Sequence, residues 1–172
     1  MLTDDIVTQR LILRSTREEW GPLCVELWLD DVEGKYLSDP PRDKADGKYL
    51  SYGKGIETEE GWFPFTVFSR ETGEFVGTCS VVPTEEGRCW DLGYAVCKQF
   101  WRRGYCTEML TALMDWGRRE GATAFTADVA QENEASCGVL RKLGFHVVKE
   151  GSFRKHGTDI VYPEYTWRLD IE

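Results

Sequence analysis

The chain has 172 residues, 41% of them hydrophobic and 30% charged, a balance that excludes intrinsic disorder and suffices for one sizeable core. Its 30 acidic and 21 basic side chains leave a net charge of -9, which speaks against nucleic acid as a partner because neutralising phosphates takes a basic face. Residues 1–20 include Asp4 and Asp5 and lack an apolar run, and no stretch reaches the roughly 18 apolar residues of a membrane span, so a cytoplasmic location without membrane association is expected.

Residues 7–14 alternate Leu11 and Leu13 with Arg10 and Arg14, as a half-buried strand does. Ser15 and Thr16 each have a glutamate three residues on, the spacing of a capping box. The helix they open repeats apolar groups at Trp20, Leu23, Cys24, Leu27 and Trp28, with Pro22 in its first turn. Residues 30–62 are rich in Gly, Asp and Lys and read as loop, with a short helix near 46–52. A meander of three strands follows, 63–69, 74–82 and 89–96, turned by Glu71-Thr72-Gly73 and Glu85-Glu86-Gly87. A helix over 107–120 buries Leu110, Leu113, Met114 and Gly117 and ends at Gly121. A strand at 124–129, a helix at 134–143 stopped by Gly144, and strands at 145–149 and 160–169 complete the chain. The order βα(α)βββαβαββ predicts an α/β (α+β) fold, one domain over 1–172 with a mixed sheet of six to seven strands flanked by helices.

Six cysteines stand at 24, 79, 89, 97, 106 and 137, never as Cys-x-x-Cys, and the histidines are His146 and His156 alone. No metal site and no disulfide framework are expected, and the thiols read as small core residues.

The densest chemical signal is the turn Phe100-Trp101-Arg102-Arg103-Gly104-Tyr105-Cys106-Thr107 ahead of the long helix. A helix N-terminus leaves N–H groups unpaired beside a partial positive charge, which suits a pyrophosphate. Gly104 lets the main chain approach such a ligand, and two arginines add charge. The order Gly-x-x-x-x-Gly-Lys-Ser/Thr and a Gly-x-Gly-x-x-Gly after a strand are both missing, against a triphosphate hydrolase and a dinucleotide site.

Five stretches in order carry a resemblance: residues 8–14 (TQRLILR), 73–77 (GEFVG), 92–94 (LGY), 101–108 (WRRGYCTE), and Asn133-Glu134-Ala135-Ser136 with Lys142-Leu143-Gly144-Phe145. Together they resemble the GNAT superfamily of acyl-CoA-dependent N-acyltransferases, and within it the ribosomal-protein (RimJ/RimL-like) branch, over nearly the whole chain. The resemblance implies transfer of acetyl from acetyl-CoA to a primary amine by direct attack in a ternary complex. The acceptor would be a small molecule or a peptide N-terminus, and the protein a monomer or homodimer. The alternative is a non-catalytic acyl-CoA-binding sensor on the same fold.

By the same resemblance, Trp101, Arg102, Arg103, Gly104, Tyr105, Cys106 and Thr107 hold the pyrophosphate. Val96 and Asn133 hold the pantetheine arm, and the amide near Val96 faces the developing oxyanion. Two departures stand out. The family's Arg/Gln-x-x-Gly-x-Gly/Ala signature keeps only Gly104 here, with Cys106 as a bulkier filler. The tyrosine that many relatives use to protonate the thiolate is replaced by Leu140, which moves that role to Ser136, a residue that also suits capping. Asp91 is the one carboxylate on the proposed active strand, a base through water or a solvated group on the opposite face, with Glu134 as runner-up. Trp28, Tyr36, Tyr49, Tyr52, Phe153, His156, Tyr162 and Tyr165 fall in the regions that would build the acceptor side.

Overall fold

The computed structural model describes residues 1–171. One sheet of eight strands runs in the order β1-β2-β3-β4-β5-β6-β8-β7. The strands are β1 (Ile6–Val7), β2 (Leu11–Ser15), β3 (Phe63–Ser69), β4 (Phe75–Thr84), β5 (Cys89–Val96), β6 (Ala124–Ala130), β7 (His146–Arg154) and β8 (Val161–Asp170). Helices α1 (Gly21–Leu29), α2 (Gly47–Leu50), α3 (Tyr105–Arg119) and α4 (Glu134–Lys142) connect them. All pairings are antiparallel except β5 with β6, so the sheet is mixed as expected.

Eight strands replace the six to seven expected. The reading of 7–14 as one strand fails because Thr8 N–H bonds back to the Leu11 carbonyl at 2.9 Å, folding the segment into a short hairpin. The capping box also fails. The Thr16 hydroxyl meets Thr66 of β3 at 2.9 Å and the Ser15 hydroxyl accepts from Thr3 N–H at 2.8 Å. Both are spent on long-range contacts, and α1 begins later, at Gly21, with no side-chain cap. The short helix near 46–52 forms at Gly47–Leu50, where the Asp46 carboxylate accepts from Lys48 N–H at 3.1 Å.

Side chains of opposite parity on β5 face the two sides of the sheet. Trp90, Leu92 and Tyr94 look towards α3 and α4, while Asp91, Gly93 and Ala95 look towards α1. On the first side Met109, Leu110, Leu113 and Met114 of α3 close over Leu11, Leu13, Val67 and Phe125, all buried. An aromatic group of Phe63, Phe65, Trp90 and Trp116 adjoins them, with edge-on contacts of 5.0–5.5 Å between ring centres.

Gly117 sits where α3 comes nearest the sheet. A Cβ there would lie 2.8 Å from the Phe125 ring and 3.1 Å from Trp90. Gly117→Val is therefore expected to lower unfolding free energy by about 2 kcal/mol, because overpacking outweighs the few tenths gained in helix propensity. Urea unfolding measures this, and an unchanged midpoint would mean that the helix has room to move outwards.

Candidate functional site

β5 and β6 pair only at Cys89–Ala124, Trp90–Phe125 and Asp91–Thr126. Beyond Asp91 the two strands run on without pairing. Cys97 N–H donates to the Val76 carbonyl at 2.8 Å, which fixes the alternation along β5: odd-numbered residues bond β4 and even-numbered ones turn their main chain to the β6 side. Leu92 N–H still belongs to the last bridge, and Tyr94 and Val96 beyond it present their amides to an opening in the sheet. The Val96 carbonyl is taken by the Trp101 indole N–H at 2.7 Å, and the Val96 N–H faces the opening.

The turn before α3 lies next to this opening. Arg102 and Gly104 have left-handed backbone angles, φ 60° and 79°, which curl the loop so that successive N–H groups converge. Among the described residues nothing accepts from the main-chain N–H groups of Arg102 to Thr107, and no side chain caps the helix. These are the donors that the sequence assigns to a pyrophosphate. Tyr105 contributes only main chain, since its ring is buried beneath the Arg10 guanidinium at 4.0 Å.

A brace invisible in the sequence sets the turn. Glu108 in the first turn of α3 accepts from the Thr8 hydroxyl at 2.5 Å, from Arg10 N–H at 2.9 Å and from Arg10 Nε at 2.7 Å. Arg10 Nη1 then donates to the Arg103 carbonyl at 2.9 Å. Burial pushes the Glu108 carboxyl up, but the hydrogen bonds from Thr8 and Arg10 outweigh it and hold the group below its ordinary value.

Ser136 and Tyr94 meet across the opening. The Ser136 hydroxyl lies 2.6 Å from the Tyr94 hydroxyl, 42 residues away in sequence. Burial first, then the neighbouring Cys106, raises the Tyr94 phenol well above the usual tyrosine value, so it keeps its proton. Tyr94 is the site residue that the sequence reading missed. Its signal was its place two residues before Val96, on the face turned to α4. Asn133 caps α4, its side-chain oxygen accepting from Ser136 N–H at 3.2 Å, so its amide NH2 is what remains for a ligand. Burial pushes the Cys106 thiol up to about 12, which suits a neutral filler and not a reactive thiolate.

Asp91 points to the opposite face from Tyr94, as its parity requires. It accepts from the Thr126 hydroxyl at 2.7 Å. Burial raises its carboxyl above the ordinary range, Thr126 opposes that, and Asp128 adds to it. The α1 face carries a cavity of about 180 Å³ whose floor is Gly93, Tyr94 and Ala95, the part of β5 released by β6. Of the aromatic residues assigned to the acceptor side, Trp28 and Tyr52 line it, whereas Tyr36 meets Tyr162 edge-on and Phe153 lies tilted against Tyr162 at the β7–β8 end.

A family model for the acetyltransferase (GNAT) domain matches residues 10–146. The chain belongs to the GNAT acetyltransferases. It is 32% identical over 158 residues to the uncharacterised N-acetyltransferase YoaA of Bacillus subtilis (strain 168), covering 87% of this chain and 85% of that one. The uncharacterised N-acetyltransferase p20 of Bacillus licheniformis is 27% identical over 158 residues, 89% of this chain and 87% of its own. Among solved structures, the RimL ribosomal L7/L12 alpha-N-protein acetyltransferase in complex with coenzyme A superposes with a TM-score of 0.80 at 20% identity, over 98% of both chains. The protein is thus an acetyltransferase enzyme of this family, with the fold of the RimL proteins. Among the described residues no helix is long and apolar enough to cross a membrane, and no three His, Cys, Asp or Glu side chains are grouped to hold a metal ion.

The Glu108 brace makes a pH-dependent contribution to stability. Because its folded pKa is depressed, the stabilisation is present above the unfolded value of 4.5 and is lost as pH falls through the lower folded value. Glu108→Gln is expected to cost about 1–2 kcal/mol at pH 7, discounted for the half-exposed Arg10 partner. Urea titrations of both proteins should show this difference shrinking steadily below pH 4.5; a pH-independent difference would assign the loss to packing.

Proposed function

We propose that this enzyme moves acetyl from acetyl-CoA to a primary amine by direct attack within a ternary complex. The opening between β5 and β6 beside the free N–H groups of residues 102–107 carries this reading. Those donors and the Arg102 and Arg103 side chains fit a diphosphate, and the unpaired edges of the opening fit the amides of an extended pantetheine arm. Acetyl-CoA supplies the thioester carbonyl and, once the C–S bond breaks, a thiolate leaving group.

The chain's own groups do the rest. Val96 N–H donates to the oxygen that gains charge when the amine adds to the carbonyl. Ser136 donates its hydroxyl hydrogen to the departing sulfur, and Tyr94, which its raised pKa keeps neutral, holds that hydroxyl in place through their mutual hydrogen bond while solvent supplies the net proton. Asn133 orients the start of α4, and its NH2 holds the arm. On the acceptor face Asp91 receives the amine's proton through water, and burial makes it a stronger base than an exposed carboxylate. For a lysine-like amine of pKa ~10.4, deprotonation at pH 7.4 costs about 4 kcal/mol, against under 1 for an α-amine near 7.7–8.0. A weak base therefore suffices best for an acceptor of the second kind, whereas a lysine-like amine depends on Asp91 to take its proton.

Isothermal titration should show acetyl-CoA binding, and release of free thiol should follow when amines are added. Ser136→Ala is expected to lower kcat about 100-fold with little change in the KM for acetyl-CoA, the scale of a lost general acid. Tyr94→Phe should lower it about tenfold and move the alkaline limb of the pH–rate profile. Cofactor binding with no turnover over a broad amine panel, and no effect of either substitution, would instead identify a non-catalytic acyl-CoA sensor.

A further inference from the structure

We infer that the cavity of about 180 Å³ on the α1 face is a subsite for a compact, cationic primary amine, with Gly93 setting its depth and Asp39 its charge preference. This rests on the N-acetyltransferase reading above and narrows its acceptor to a small amine.

Three observations carry it. The cavity reaches β5 at Gly93–Ala95, past the last pairing with β6, so its floor is the back of the strand whose other side holds Tyr94 against Ser136. A molecule seated there has its reacting end at the opening in the sheet.

Next come the walls. Trp28, Tyr52 and Trp62 give three aromatic surfaces, Trp28 and Tyr52 edge-on at 4.8 Å between ring centres. The Trp28 indole N–H is spent on Thr78 at 3.0 Å, which fixes that ring. Asp39 is the one carboxylate of the lining. Tyr49 donates to its Oδ1 at 2.9 Å, and Oδ2 has no partner among the described residues; nor do the hydroxyls of Tyr52 and Ser80. Lys155, whose charge is felt by that carboxylate, gives its protons to the carbonyls of Gly34 and Leu37 at 2.8 and 3.0 Å and forms no ion pair with it. Aromatic faces around one free carboxylate oxygen are the chemistry that recognises an organic ammonium. A lining that is mostly apolar with a few convergent polar groups is the usual make-up of a small-molecule site.

The third observation is Gly93. Its backbone is not in the left-handed region, so the strand there accepts any L residue. A Cβ would meet only the Ser80 hydroxyl, at 3.0 Å. What glycine supplies is an open floor. The cavity is also well below the roughly 300–1,000 Å³ of drug-sized sites, so what it encloses is a short alkyl chain or a single ring.

The test uses the full-length protein with a panel of primary amines: short alkylamines, arylalkylamines, aminoglycosides and peptides with free N-termini. Thiol release measures turnover, and isothermal titration measures acetyl-CoA binding. Compact amines should be turned over. Gly93→Val should raise their KM at least tenfold, and Asp39→Asn severalfold, with acetyl-CoA affinity and melting temperature unchanged in both. Gly93→Ala serves as the milder variant should valine disturb the strand. Turnover confined to peptides or aminoglycosides, or an unchanged KM in folded Gly93→Val, overturns the subsite. Acetyl-CoA binding with no amine turned over also overturns it and leaves the donor site standing, whereas no acetyl-CoA binding at all removes the transferase reading beneath it.

Discussion

Three residue pairs join β5 to β6, and the break after the third governs where everything else sits. Main-chain N–H and C=O groups left without partners in a partly buried sheet are costly, so such a break persists only where something else satisfies them. Trp101 does so for the Val96 carbonyl. The groups still free between the Leu92 carbonyl and Val96 face the opening. The break also joins the two sides of the sheet. Through it Tyr94 and Ser136, on the α3–α4 side, come within reach of whatever lies above Gly93 on the α1 side.

Charge is distributed to match. The chain as a whole is acidic, yet the start of α3 gathers Arg10, Arg102 and Arg103 around unpaired N–H groups. Glu108 is the acid nearest to them, and it is fully engaged with Thr8 and Arg10. Its negative charge thus braces the loop against β2 and does not project towards an incoming phosphate. On the other face the free oxygen of Asp39 and the carboxylate of Asp91 face outwards from the sheet without a cation paired to either. One side favours an anion and the other a cation, which is the polarity that transfer from a phosphorylated donor to an amine requires.

Much of this was legible in the residues, for identifiable reasons. Strands 63–69 and 89–96 match the observed β3 and β5 because their turns are marked by Gly73 and Gly87 and their ends by clear composition changes. Helix 107–120 was placed two residues late because nothing in the sequence says that Tyr105 and Cys106 pack inwards. β7 runs five residues beyond the expected 149, for its side chains are mostly exposed and show no alternation; pairing with β8 alone extends it. In the site, Gly104 announced the turn, whereas the partners that hold it did not announce themselves. Glu108 meets Arg10 across 98 residues, and Tyr94 meets Ser136 across 42. Such contacts come from topology. Parity placed Asp91 correctly on the face opposite Tyr94, but only the cavity shows that this face is more than solvent.

The substitution of leucine where many relatives carry a tyrosine follows from packing. Leu140 is fully buried, wedged in the core with Phe145, so position 140 of α4 is committed to the sheet and offers no path to the opening. Ser136 lies four residues earlier, on the same helical face, and at 1.5 Å per residue it stands about 6 Å nearer the N-terminal end of the helix. That displacement carries a hydroxyl from the core to the edge of the opening. Serine is short and rotates freely, and alone it would seldom be aimed at a particular atom. The Tyr94 phenol, held by burial on β5, lies 2.6 Å from the serine oxygen and holds that hydroxyl at the edge of the opening.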